Sequence, residues 1–94
     1  MDKPEQILEA AGFDIDDLEA EGTILYRNPD FHTAIVGVTT DNHVVYDYNA
    51  MLAYLVVKEK MTVEEAMEWI DYNTLQTYSS TGLMPIVMYP IKQD

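Results

Sequence analysis

The chain has no cysteine, which excludes disulfides, thiolate metal ligands, thiol nucleophiles and iron–sulfur clusters. It is almost as poor in positive charge: five Lys and Arg stand against 17 Asp and Glu, for a net charge of −12. Such a surface repels nucleic acid and anionic lipid at long range, so no direct binding to either is expected. Gly and Pro number four each, too few for a collagenous or low-complexity chain. Long apolar runs are missing as well. The longest uncharged one, Ala50 to Val57, has eight residues, whereas a membrane-spanning helix needs about 20. The opening Met-Asp-Lys-Pro-Glu lacks the sections of a secretory signal. These absences predict a soluble, cytoplasmic protein.

What remains is 94 residues, 48% of them hydrophobic, enough for one small domain over 1–94. Asp2 is positioned to cap a first helix carrying Ile7, Leu8 and Ala11, with Gly12 at its left-handed end. Asp14, followed by Asp17, opens a second helix that stops at Gly22. Segment 1–22 is thus an acidic helical pair, and residues 23–94 carry the rest. Thr23 to Arg27 reads as an edge strand ending at Asn28-Pro29-Asp30. Thr33 to Thr39 and Val44 to Tyr48 read as a hairpin, in which Gly37 marks a bulge or a close helix approach.

Asn49 is the expected cap of a helix from Ala50 to about Lys60. Thr62 and Glu65 form a capping box before a helix from Val63 to about Tyr78, whose stripe Val63, Ala66, Met67, Ile70 and Thr74 is expected to face the sheet. After the loop Ser79 to Gly82, Met84 to Tyr89 is a final strand that Pro85 and Pro90 confine to an edge. The order predicts an α+β fold: a small, largely antiparallel sheet with helices packed on one face.

Candidate chemistry is sparse. Asp30 with His32 and Asp41 with His43 each place a carboxylate two residues from an imidazole. They flank one predicted strand, roughly 30 Å apart at about 3.3 Å per residue, so they should not converge on a metal. Turn Asp residues and exposed His residues are expected instead. The hydroxyls of Ser79, Ser80 and Thr81 have no base at a recognised spacing, and no phosphate loop is present. No catalytic residue, metal or cofactor is predicted. Seven Tyr and one Trp suit either a wet-edged core or a binding surface. Trp69 lies off the stripe with Tyr72 three residues on, marking a second apolar face that could join two copies of the chain. A ligand pocket could be lined only by Tyr46, Asp47, Tyr48 and Asn73, and Asp47 and Asn73 have structural readings too, in helix capping and as a buried amide bonding a loop.

The segments Ala34 to Asp41, Val44 to Tyr48, Met61 to Ala66, Trp69 to Thr74 and Pro85 to Tyr89 resemble, in order and spacing, small uncharacterised proteins encoded by bacteriophages and prophages of gut-type bacteria. Those proteins tend to have Gly-Arg in the hairpin turn where this chain has Asn42-His43, and the acidic N-terminal helices fall outside the likeness. The resemblance implies a small accessory protein, in a host cell cytoplasm, that blocks host machinery. The expected function is a non-enzymatic acidic module binding a basic protein surface, such as that of a host nuclease or defence complex, by imitating the phosphates of nucleic acid (an anti-CRISPR or anti-restriction type). Its expected partner-binding residues are Asp14, Asp16, Asp17, Glu19 and Glu21 with Glu64, Glu65, Glu68 and Asp71. The alternatives are a homo-oligomeric assembly protein joined through Trp69 and Tyr72, and a small-ligand binder.

Overall fold

The computed structural model describes residues 3–27, 29–76 and 82–91. Helix α1 spans Pro4–Ala10 and α2 spans Ile15–Ala20. A 3-10 turn, His32–Ala34, leads into strand β1, Ile35–Val38, and then β2, Val44–Asp47. Helices α3, Tyr48–Lys58, and α4, Val63–Gln76, precede β3, Ile86–Met88. The α+β class holds. The three strands form one sheet in the order β1-β2-β3. It is mixed: β1 and β2 pair antiparallel as the hairpin, and β3 joins β2 in parallel.

The short helices are set by their ends. Lys3, not Asp2, is the N-cap of α1, and its N–H donates to the Gln6 side chain at 3.0 Å; Asp2 lies outside the described residues. Pro4 at the first helical position has no N–H to satisfy and its φ is already helical. At the other end the Phe13 N–H reaches the Leu8 carbonyl and the Gly12 N–H the Glu9 carbonyl, each at 3.0 Å. The same pair recurs after α2, from Thr23 to Leu18 and from Gly22 to Glu19, each at 3.0 Å. These Schellman closures satisfy the last carbonyls and turn the chain sharply, which brings Leu8 and Leu18 into the core.

Three local expectations are corrected. Thr23 to Arg27 is not a strand: one parallel bridge joins Thr23 to Leu83, and the segment then runs on as irregular chain, its Tyr26 N–H donating to the Tyr46 hydroxyl rather than to a neighbouring strand. The first hairpin arm begins at Ile35, because His32–Ala34 is wound into the 3-10 turn. Asp47, not Asn49, caps α3, its carboxylate accepting from the Asn49 and Ala50 N–H groups at 2.8 and 3.2 Å. The bulge is where Gly37 signalled it. Ile35 faces Tyr46 while Gly37 faces Val45, so Val36 is the extra residue, and nothing crowds the Gly37 Cα.

The stripe on α4 is also rotated from expectation. Ala66 and Ile70 are buried, but Val63 and Met67 remain 53% and 44% exposed, and the Thr74 side chain lies outside the described residues. α4 packs chiefly on α3 rather than on the sheet. Its inward arc therefore contains Trp69, whose ring sits 5.4 Å from that of Phe31 with the planes at 63°. Trp69 does not stand apart from the core; its indole is half-buried against it.

Phe31 is completely buried at φ +50°, a left-handed conformation unusual for a bulky residue. That backbone costs roughly 1–2 kcal/mol. Burial of the ring contributes about 1.5–3 kcal/mol, and edge or tilted contacts to Tyr26, Tyr54 and Trp69 add roughly 0.5–1.5 kcal/mol each. The packing outweighs the strain.

Two backbone positions give opposite tests. Lys60 is exposed at φ +62°, closing α3 without any side-chain contact that compels a lysine. Lys60→Gly should raise stability by about 0.5–1 kcal/mol, read as a higher urea midpoint at unchanged slope. Gly82, at φ +125°, approaches Gly22 so closely that an added Cβ would lie 2.8 Å from its carbonyl oxygen. Gly82→Ala should lower stability by about 2–3 kcal/mol, because it separates the paired backbones at Gly22 and Leu83.

Candidate protein-binding surface

The first group of predicted residues lies on and beside α2. Asp14 accepts from the Asp16 and Asp17 N–H groups at 2.9 and 3.4 Å, so its carboxylate is committed to capping. Asp16, Asp17, Glu19 and Glu21 are all exposed. An open hollow of about 470 Å³ lies here, lined by Glu9, Phe13, Asp14 and Asp16 among others. Glu9 and Phe13 were not anticipated. Phe13 is the first residue past the turn that ends α1, and it stays 37% exposed.

The second group lies on α4. The Glu65 carboxylate accepts from the Thr62 N–H at 2.9 Å, and the Thr62 hydroxyl accepts from the Glu65 N–H at 3.1 Å. This is the capping box read from the sequence. The hydrogen bond from the Thr62 backbone holds the Glu65 carboxyl below its ordinary range. Glu64, Glu68 and Asp71 are exposed, as is Tyr72 at 63%. An open hollow of about 640 Å³ runs along this face, lined by Glu65, Glu68, Trp69, Asp71, Tyr72 and Asn73.

α2 packs on α1 and α4 on α3, so the two acidic groups are carried by different helix pairs. None of the nine residues forms an ion pair with a described residue. The described ion pairs are Arg27 with Glu5, His32 with Asp30, and His43 with Asp41. The Arg27 guanidinium, hydrogen-bonded to Glu5, draws the Glu5 carboxyl below its ordinary range.

The histidines are structural and half-buried rather than exposed. Asp30 accepts from both the N–H and the Nδ1 of His32, at 3.1 and 2.9 Å, which fastens the turn around Phe31. The His43 Nδ1 donates to the Met84 carbonyl at 2.7 Å and ties the hairpin turn to the approach of β3. Nδ1 must carry the proton there, since a carbonyl only accepts. No cluster of three or more metal-ligating side chains occurs among the described residues.

The four residues considered for a ligand pocket have other work. Tyr46 is fully buried and Asp47 caps α3. Tyr48 packs against Tyr89 with ring centroids 4.7 Å apart. Asn73 donates from Nδ2 to the Trp69 carbonyl at 2.7 Å, bonding its own helix rather than a loop. Of the remaining tyrosines, Tyr26 belongs to the core and Tyr54 packs against it. Tyr78 and the Ser79 to Thr81 hydroxyls lie outside the described residues.

Comparison with protein-family models, curated proteins and solved structures finds no match to this chain.

Burial pushes the Tyr46 hydroxyl up to about 12, from about 10 in the unfolded chain. The folded state holds this proton more tightly, so the stabilisation is complete below pH 10 and is lost as pH rises towards 12. Denaturant titrations should show a loss of roughly 3 kcal/mol over that window, and most of this loss should vanish in Tyr46→Phe. Asn73→Ala should cost less than about 1 kcal/mol, because the Trp69 carbonyl keeps its helical N–H partner; a greater loss in thermal unfolding would assign the amide a further contact.

Proposed function

We propose that this protein is a non-enzymatic acidic module that occupies a basic groove on another protein, imitating the phosphates of nucleic acid. The observation that carries the reading is the set of nine exposed carboxylates, on two separate helix pairs, that form no ion pair with a described residue. Seven of them, all but Asp14 and Glu65, have no capping duty either. Unpaired like charge of this size keeps a chain soluble but works against its compact state by self-repulsion, a cost that a basic partner would relieve. Against a groove lined by Arg and Lys, the same charge accelerates encounter and forms charge-assisted hydrogen bonds. A host nuclease or defence complex, whose groove is basic because it holds nucleic acid, is the target class we propose.

A second reading, a homo-oligomer, draws on the apolar residues that α4 leaves exposed, Val63, Met67 and Tyr72. An apolar contact of that kind would persist at 1 M salt, where the screening length is about 3 Å.

The deciding measurement is competition. The protein should displace a labelled DNA duplex from a purified host nuclease complex, followed by fluorescence anisotropy. Changing Asp16, Asp17, Glu19 and Glu21, and separately Glu64, Glu68 and Asp71, to the amides should raise the half-displacing concentration about tenfold for each group. The dependence on salt should flatten in parallel. Displacement that is indifferent to both salt and these changes would dismiss the phosphate-mimic reading.

A further inference from the structure

The hollow on α4 is lined by two aromatic rings, Trp69 and Tyr72, where the hollow beside α2 has Phe13 alone. Glu65, Glu68, Trp69 and Tyr72 are spaced at i, i+3, i+4 and i+7, which puts all four on one face of a helix. Two carboxylates are therefore followed by two aromatic rings along a single ridge, with Asp71 beside it. The indole of Trp69 is fixed by the Phe31 ring behind it and still reaches the surface, while the Tyr72 ring is largely open to solvent. Asn73 Nδ2 donates to the Trp69 carbonyl and Glu65 accepts from the Thr62 N–H, so the charged groups left to face an occupant are the carboxylates of Glu68 and Asp71.

We propose that this hollow seats an arginine side chain of a basic protein partner, its guanidinium against the Tyr72 and Trp69 rings and its N–H groups on the Glu68 and Asp71 carboxylates. This rests on the reading of the acidic surface as a protein-binding one and names the place where that binding is anchored. Arginine fits better than lysine. Its planar, weakly hydrated cation stacks on aromatic faces and presents a fork of donors that matches a carboxylate, whereas an ammonium is a compact and strongly hydrated point charge. A second copy of this chain fits worse. A two-fold interface meets the same patch on its partner, so Glu65, Glu68 and Asp71 would face their own counterparts without a cation between them. Charge complementarity thus selects a basic partner over self-association at this face, and the exposed rings supply the apolar contact that a purely ionic surface lacks.

Trp69 is the only tryptophan in the chain, so its fluorescence reports on the hollow directly. The probes are three capped hexapeptides of Gly and Ser carrying two Arg, two Lys or two citrulline residues. The arginine peptide should perturb Trp69 emission saturably and bind at least about fivefold more tightly than the lysine peptide, and the citrulline peptide should give no saturable change. Tyr72→Ala should weaken the arginine peptide about fivefold with the circular dichroism unchanged, and Tyr72→Phe should restore it. Glu68→Gln with Asp71→Asn should weaken it by a similar factor and flatten its salt dependence. Neutralising Asp16, Asp17, Glu19 and Glu21 should leave this affinity within twofold of the parent. Equal binding of the Arg and Lys peptides, indifferent to Tyr72→Ala, would overturn the arginine seat while leaving a diffuse acidic surface intact. Absence of any saturable change with the arginine peptide would overturn it as well, and the DNA-competition measurement then decides separately whether the acidic surface binds a partner at all.

Discussion

The burial of Phe31 in a left-handed turn is the constraint on which the rest of the structure depends. Its ring is the meeting point of the irregular segment through Tyr26, of α3 through Tyr54 and of α4 through Trp69. Tyr26 in turn lies across Tyr46 of β2, with ring centroids 4.8 Å apart. The sheet, the two long helices and the N-terminal connection are therefore held by one chain of aromatic contacts. The Asp30 carboxylate, bonded to His32 on the far side of Phe31, keeps the backbone in the bend this packing requires. The strained conformation persists because several elements over-determine it.

The sequence was most legible where a local hydrogen bond decides the structure. Asp14 as a cap, the Thr62 and Glu65 box, the stops at Gly12 and Gly22 and the bulge beside Gly37 depend on neighbours within a few residues, and each is found as read. Legibility failed where long-range packing decides. Thr23 to Arg27 has the composition of a strand, but Tyr26 turns its ring into the aromatic core and its N–H to a hydroxyl, which removes it from the sheet. The apolar stripe of α4 gave the right helix and the wrong rotation, because Trp69 competes with Met67 for the inward arc and the larger ring takes it. Of the candidate surface, the nine carboxylates were readable as exposed; the hollow that Trp69 and Tyr72 line was not, since it depends on the long-range packing of Trp69 against Phe31.

The charge is tolerated because of where it sits. Carboxylates occupy the first turns of α1, α2 and α4, and Asp47 caps α3, so each helix begins with negative charge at its positive end. The converse arrangement is rare: among the described residues, only α3 of the four α-helices has a basic residue, Lys58, in its last turn. The local electrostatics of folding and the long-range electrostatics of the surface thus use the same residues for different purposes. Asp14 and Glu65 contribute to the first through hydrogen bonds, and Glu19, Glu21, Glu68 and Asp71 add only to the field that an approaching molecule meets.

The parallel attachment of β3 sets an order of events. β1, β2 and α3 are contiguous in the chain, and their contacts can form as soon as residues 35–58 exist. β3 pairs with β2 only after the whole of α3 and α4 has intervened, and the bond from His43 to Met84 spans 41 residues. Closing so long a loop is entropically slow, and little reward comes before it is complete. Loop-closure entropy favours the hairpin and α3 as earlier contacts than β3, and the pairing of β3 both completes the sheet and fastens Leu83 to Gly22 and Ile24. The same seam is the backbone tie between the N-terminal acidic helices and the segment leading into β3, so the position of the acidic helices depends on the strand that completes the sheet.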